Sequence, residues 1–559
     1  MPPATVPTRT PDSGLLADVR SGFLVFLIAL PLCLGIALAS GFPPIAGILT
    51  AVVGGMVATP LGSARLTIKG PAAGMIVIVI GAVTELGQGN LVDGYHRTLA
   101  VGVVAAAIQI VLALLRTATI GIAMSPSVVH GMLAAIGVVI ISKQVHQVLG
   151  VKVGSSDPLV LIQQIPDSIA DANPAAVTIG LSALLVLFLW PLLKAKWARA
   201  IPAPLVVLAL AVPMGMAFDL TRQHAVQLFG SEFWVGPQLL VQLPARLGEA
   251  LQFPDFSQIL SGTSIKYIAM FAIVGTIEST LSCLAVDAMD PERRASNLNR
   301  DLLALGCSNL VSAALGGLPM ISEIVRSRAN IDAGARSSRS NFFHGFFLLA
   351  FVAAAPSLLQ KIPLAALGAM LVFVGSRLAS PSHFKQALRV GTDQFVLFLG
   401  TMVVTLLTDL LVGVASGLAL KILLHCLRGA SLRSIFRPTV TSERVGDELR
   451  IAIQGTASFP SILIVRSRLR TAGPALERIV VDLRQTSLVD HTFLSRLKGM
   501  ADEVPGATLE IVGKDDLIAM SGHPESSLAR KSLVGSRRDR GAPSGADARR
   551  DGRSSDSSP

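Results

Sequence analysis

The first 430 residues repeat one feature: runs of apolar residues almost free of charge, each closed by a short polar connection. Leu24 to Ala39, Ile45 to Thr59, Thr98 to Leu115, Val128 to Ile141, Ala175 to Leu193, Leu205 to Phe218, Tyr267 to Val286, Phe342 to Ala355, Leu364 to Val374, Phe395 to Leu407 and Leu410 to Leu427 are such runs. A soluble domain alternates apolar residues with a polar face instead of stacking them, and carries close to a quarter charged residues. Here the chain is 51% apolar and only 15% charged, which places it in lipid. Several runs fall short of the roughly 20 residues that cross a bilayer core. Short spans interrupted by Gly or Pro belong to transporters with broken helices, because irregular backbone is tolerated where it lines a cavity.

The formal charge of +11 raises the question of nucleic acid, and its distribution answers it. Basic residues gather in alternate connections: Lys194, Lys196 and Arg199; Arg293, Arg294 and Arg300; Arg328, Arg336 and Arg339; Arg377, Lys385 and Arg389; Arg428, Arg433 and Arg437. Under the positive-inside rule these connections and both termini face the cytoplasm, and the crossings are even in number. The long connections Ser142 to Asn173 and Asp219 to Gly262 are poorer in basic residues and are expected outside. The polar, Pro-rich start followed by spans, with no small-residue cleavage site, reads as no cleaved signal peptide. Cys33, Cys283, Cys307 and Cys426 lack paired spacing and read as small buried side chains rather than disulfides or metal ligands.

Composition divides the chain into a disordered N-terminus, 1–14, a membrane domain, 15–430, a small α/β domain, 440–522, and a disordered basic tail, 523–559. Strand candidates are Leu449 to Gln454, Arg478 to Leu483 and Thr508 to Val512, with a helix over Thr492 to Val504. The tail, mostly Arg, Ser, Asp, Gly and Pro, has almost nothing to bury.

Two segments break the hydropathy pattern: Arg65 to Gly74 (RLTIKGPAAG) and Gly316 to Ser327 (GGLPMISEIVRS). Each reads as an extended stretch feeding a helix that starts at membrane depth. In the first, Gly70-Pro71 suits a helix start, since Pro lacks only an N–H that has no partner there. In the second, Met320 to Val325 reads as extended, with the helix beginning near Arg326. A half-helix N-terminus offers unpaired N–H groups and about half an elementary positive charge, an anion site built from backbone. The two segments do not align residue by residue, so an inverted repeat rests on their pattern.

Glu278 lies inside an apolar span among Thr276, Ser279, Thr280 and Ser282. A carboxylate there costs at least about 2.5 kcal/mol, so it faces a cavity or a partner. With Ser282 one turn on, it is a candidate for holding Na⁺ or taking up a proton, and a structural ion pair with Arg326 is the competing reading. Arg326, three residues after Glu323, either screens the charge of a bound anion or pairs with Glu323 as a topology residue. Asn309, Asn330, His130, His344 and His425 read as packing residues. Walker, G-x-S-x-G, HExxH and CxxC signatures are missing, so neither ATP-driven transport nor enzymatic chemistry has support.

Gly316-Gly-Leu-Pro319, Arg326-Ser327, Asn330 and Gly334-Ala-Arg-Ser337, with Ile68-Lys-Gly-Pro-Ala72 and Ile277-Glu-Ser279, together resemble the signatures of the sulfate permease (SulP) family of anion transporters. The resemblance runs from about Leu15 to Val512. It implies an all-α polytopic membrane domain of about fourteen segments in two seven-segment inverted repeats with two half-helices, a core region moving against a gate region, and a homodimer. It implies an α/β tail domain of the STAS type, in which Val481-Asp-Leu483 and Asp490-His-Thr492 resemble a strand and the following helix start. Thr492 then stands at a regulatory hydroxyl position, or serves as a helix N-cap. The last elements of that domain are expected to be short or missing after Gly513.

The function expected is ion-coupled secondary transport of bicarbonate or sulfate in a bacterial-type inner membrane. The anion is expected at Gly70, Pro71, Ala72 and Ala73 facing Ile324, Val325, Arg326 and Ser327, and the coupling Na⁺ or proton at Glu278, Ser282 and Glu323. Glu323 departs from the family, which often has a small residue there, and so puts simple sulfate specificity in question. The rivals are a proton-linked exchanger of dicarboxylates or other anions, a nucleobase permease and a non-transporting scaffold.

Overall fold

Proline and asparagine set where many of the membrane helices begin. Pro44, Pro126 and Pro174 each occupy a first helical turn, where a missing N–H costs nothing, and Asn90 and Asn173 accept the free N–H groups of the turns that follow them. The computed structural model describes residues 11–530, except 119–120, 122–123, 156, 196–197, 199–200, 229–230, 244–246, 293, 472–475 and 502–506. The basic residues Lys196, Arg199 and Arg293 and the tail beyond 530 lie outside the described residues. The chain divides into a membrane unit up to Lys421 and an α/β unit largely from Ile422 onward.

The membrane unit runs α1 (Pro11–Ala39), α2 (Pro44–Met56), β1 (Ile68–Pro71), α3 (Ile76–Gly87), α4 (Leu91–Leu114), α5 (Pro126–Val148), α6 (Pro174–Leu189) and α7 (Ala203–Ala217). After the hairpin β2 (His224–Leu228) and β3 (Ser231–Val235) come α8 (Gly262–Met289), α9 (Leu298–Ala314), β4 (Met320–Glu323), α10 (Ile324–Asp332), α11 (Arg339–Ala354), α12 (Leu364–Leu378), α13 (Thr392–Leu407) and α14 (Leu410–Leu427). Among the described residues eight helices are long and apolar enough to span a bilayer, while α3, α7 and α13 are shorter apolar helices. With 12 residues, α3 rises only about 18 Å and ends well short of crossing.

Which helices touch shows the inverted repeat that the two segments do not show by alignment. Helix α4 packs on α9, and seven elements on, α11 packs on α2. Likewise α5 with α13 matches α12 with α6, and α1 with α11 matches α8 with α4. Exchanging the two halves of the chain returns each of these contacts, as a pseudo-two-fold axis requires. The axis passes through β1 and β4, which pair antiparallel with Lys69 opposite Ser322 and Gly70 opposite Ile321.

Several sequence boundaries move. Helix α1 starts at Pro11, so residues 11–14 are helical: Pro11 lacks only a donor that the first turn leaves unpaired. Helix α9 escapes a hydropathy reading because its buried side includes Asp301, Asn309 and Ser312, which bond to other parts of the protein.

The C-terminal unit is a seven-stranded sheet in the order β10-β11-β8-β6-β7-β9, with β5 also on β6. Its elements are β5 (Thr439–Val445), β6 (Glu448–Ala457), α15 (Phe459–Thr471), β7 (Arg478–Asp482), β8 (Thr486–Val489), α16 (His491–Ala501), β9 (Thr508–Val512), β10 (Leu517–Ala519) and β11 (Leu528–Arg530). The last strands are present, and order extends through Arg530, past the expected limit at residue 522. Leu528 and Ala529 are buried, and the Ser526 and Ser527 hydroxyls accept the N–H groups of Ser521 and His491, so a polar stretch is ordered by bonds within the fold. Helix α16 begins at His491, which places the cap on Asp490; Thr492 is a buried second residue of the helix instead of its N-cap.

Candidate functional site

Each helix-breaking segment is held in place by buried polar side chains from distant parts of the chain. Asn309 of α9 accepts the Met320 N–H at 2.7 Å and donates to the Met320 carbonyl at 3.2 Å, and Thr50 of α2 accepts the Leu318 N–H at 2.7 Å. Asn330 donates to the Leu66 carbonyl at 3.0 Å, and the Ser327 hydroxyl accepts the Ile68 N–H at 2.9 Å. These bonds supply the backbone partners that an interrupted helix loses in lipid. Ser327 is therefore a fastening of β1, fully buried, and not part of an open pocket.

The helix starts differ from the sequence expectation by a few residues. Pro71 is the last residue of β1, Ala72 is extended, and a 3₁₀ turn over Ala73–Met75 leads into α3. The Ala72 N–H already donates to the Pro319 carbonyl at 3.2 Å, so strand pairing and not the anion takes it. In the second half the helix begins at Ile324, two residues earlier than expected, because β4 ends at Glu323 opposite Ile68.

Around these starts lie the charged groups. Glu323 immediately precedes α10 without capping it. Glu278 of α8 presses its carboxylate against Gly74, where any Cβ would collide with it. One oxygen of each carboxylate, Glu278 Oε2 and Glu323 Oε1, is buried without a hydrogen-bond partner among the described residues. Ser282 is buried one turn further along α8, with no bond to Glu278 among the described residues.

Arg326 turns inward instead of lining the mouth. It is 1% exposed, with Nη1 3.4 Å from the Cys33 sulfur and packed where Gly70 leaves room for it. Its Nε and Nη2 have no hydrogen-bond partner, nor has either ring nitrogen of the buried His344, among the described residues. By contrast Ile324 and Val325 are 43% and 67% exposed, so the start of α10 is open.

Sequence reading missed a buried ion pair beneath the strands. Lys69 Nζ lies 2.7 and 2.8 Å from the two Asp301 oxygens and 2.5 Å from the Ser322 hydroxyl, all out of water. Ser279, next to Glu278, accepts the Ser322 N–H at 3.2 Å and so ties α8 to β4. A lysine inside Ile68-Lys-Gly-Pro that nothing nearby can neutralise was the only available signal.

A cavity of about 320 Å³ reaches from Lys143, Lys266 and Asp409 at the helix ends down to Ile76 and Val77 at the start of α3. At its rim Lys266 lies 3.3 Å from Glu85 and 3.7 Å from Asp409, and Lys143 donates to the Ala39 carbonyl at 3.0 Å. Among the described residues no group of three or more His, Cys, Asp or Glu side chains has metal-binding geometry.

Comparison with known proteins gives this arrangement its place. The sulfate permease family matches residues 15–401. The chain belongs to that family, a family of transporters and not of enzymes. A putative sulfate transporter of Bacillus subtilis, YvdB, is 27% identical over 463 residues, covering 81% of this chain and 82% of that protein. The bicarbonate transporter BicA of Picosynechococcus is 25% identical over 446 residues, covering 78% and 74%. The solved structure of SLC26A9 superposes with a TM-score of 0.67 at 15% identity, covering 91% of this chain and 86% of that one, and shares the fold of both units. The chain is thus a multi-pass membrane protein with a C-terminal α/β unit.

Proposed function

We propose that this protein is a secondary active transporter of a small inorganic oxyanion, bicarbonate or sulfate, working by alternating access and driven by a coupled Na⁺ or proton. The observation that carries the reading is the start of α3 at membrane depth, with a cavity of about 320 Å³ leading to it. Amides there meet an anion with the positive end of a helix, in surroundings where water does not screen them. The names of YvdB and BicA support oxyanions as the substrate class.

Coupling falls to Glu278, with Ser282 on the same helix and Glu323 opposite. A desolvated carboxylate with one oxygen unpaired favours a cation, and a bound anion nearby adds to that attraction. In this reading the membrane is a bacterial-type inner membrane, both termini are cytoplasmic, and two copies form a dimer.

Proteoliposome uptake of labelled bicarbonate and sulfate, with and without a Na⁺ or pH gradient, tests the proposal. Saturable uptake of either anion, stimulated by one gradient, is the expected result. Uptake of dicarboxylate alone would transfer the reading to the exchanger, and no flux of any anion would end it.

A further inference from the structure

A second cavity, of about 290 Å³, lies beside the first, and Lys143 and Gln144 of α5 line both. Its other walls include Leu38 and Ala39 at the end of α1, Leu364 and Leu371 of α12, and the exposed Lys152. Among the described residues no aspartate or glutamate lines it. Lys143 therefore brings an ammonium to this space without a counter-charge. Of the three donors on a lysine ammonium, one goes to the Ala39 carbonyl at 3.0 Å, a group left over where α1 ends. No carboxylate pairs with Lys143 among the described residues. At the rim of the first cavity Glu85 and Asp409 lie against Lys266, and Asp157 accepts the Leu159 N–H at 2.8 Å. A cation within a membrane domain normally has a partner, and here the acids nearby are already engaged. Gln144, only 6% exposed, has no side-chain hydrogen bond among the described residues. Both ring nitrogens of His146 are spent, on Ser168 and on the Leu161 carbonyl, so it offers the cavity nothing. Unspent donors on an ammonium and a buried amide, facing a space without acids, suit an anion.

We propose that Lys143 and Gln144 form an antechamber site for the transported oxyanion, separate from the amides at the start of α3. The proposal rests on the transport reading given above. Sulfate or bicarbonate entering the second cavity takes the donors that the Ala39 carbonyl leaves on the ammonium, together with the Gln144 amide. No bond within the protein has to break for this. The hold on Ala39 fixes the ammonium between the two cavities beforehand, so less side-chain freedom is lost on binding. From that point the first cavity leads on to Ile76 and Val77 at the start of α3. Lys152, being exposed, adds attraction over distance instead of a fixed contact. Under the topology given above this end of α5 faces away from the cytoplasm, and the site meets anions before the membrane domain admits them.

The test is equilibrium binding of labelled sulfate and labelled bicarbonate to the full-length protein in detergent, alongside uptake by the same protein in proteoliposomes. For the anion that is taken up, two classes of site are expected. Lys143→Gln is expected to weaken one class about tenfold, the scale of a charge-assisted hydrogen bond. Lys143→Arg, which keeps the cation, is expected to restore most of that binding. Gln144→Leu leaves the Lys143 bond to Ala39 in place and is expected to weaken the same class about threefold, the scale of a neutral hydrogen bond. It carries the test if Lys143→Gln does not fold. In uptake both variants are expected to raise KM at nearly constant kcat, whereas a purely structural latch between α5 and α1 would show in kcat. A single class of site in the wild type, or a second class that Lys143→Gln and Gln144→Leu both leave unaltered, overturns the antechamber while wild-type uptake keeps the transport reading. Absence of wild-type uptake overturns the transport reading itself, and the antechamber with it.

Discussion

The two half-helix starts occupy equivalent places in the repeat and are furnished in opposite ways. The start of α3 is buried, and its nearby side chains are small: Gly70, Ala72, Ala73 and Gly74. The start of α10 has exposed Ile324 and Val325, with Glu323 and Arg326 on either side. Nearly all the ionisable chemistry at the site comes from the second half, through Glu278, Glu323 and Arg326. The first half supplies amides and the space left by missing Cβ atoms. Duplication thus fixed the backbone frame, while the two copies divided the work into cradle and charge.

The largest break in that division is expected at its one exception, the Lys69 charge on β1. Lys69→Met leaves Asp301 buried without its partner, a loss of about 3–5 kcal/mol. Thermal unfolding in detergent should report it, and Lys69→Met with Asp301→Leu should recover much of the loss, since an apolar pair is tolerated where a lone charge is not. Next comes the cradle. Gly70→Ala drives a methyl into the Arg326 guanidinium, and overpacking of this kind costs about 1–3 kcal/mol. A raised KM for sulfate or bicarbonate should accompany it; an unaltered KM would mean that the close fit of the two halves is incidental.

On the charge side, Glu278→Gln keeps shape and volume, so we predict a folded protein that no longer responds to a Na⁺ or pH gradient. Uptake with the gradient reversed measures this, and intact coupling would move the cation site elsewhere. The smallest effect is expected at Lys266→Gln. Its pairs with Glu85 and Asp409 lie at the rim, with the lysine side chain 34% exposed. An ion pair so placed contributes about 0–1 kcal/mol, so unfolding should barely shift and any change should lie in uptake rate.

Much of the frame was legible in the chain itself because lipid imposes it. Charge-free runs, Gly-Pro and GGLP interruptions and a glutamate inside a span each have a direct physical meaning at membrane depth. What escaped depends on partners far apart in sequence. Lys69 and Asp301 are 232 positions apart, and no local pattern joins them. The inward turn of Arg326 depends on the space left at Gly70, far away in sequence, and a lone Arg near a helix start gives no hint of that direction. Helix α9 was hidden for a related reason: a membrane helix surrounded by protein can bury Asp and Asn against neighbours and lose its apolar signature.

The antiparallel register of Ile68–Pro71 with Met320–Glu323 joins the halves of the repeat by main-chain bonds inside the membrane unit. Strands knotted together in this way cannot shear without exposing several amides to hydrocarbon at once. Any carriage of a solute from one side to the other must then leave this knot tied, and the surrounding helices have to slide along it like a sleeve on a rod.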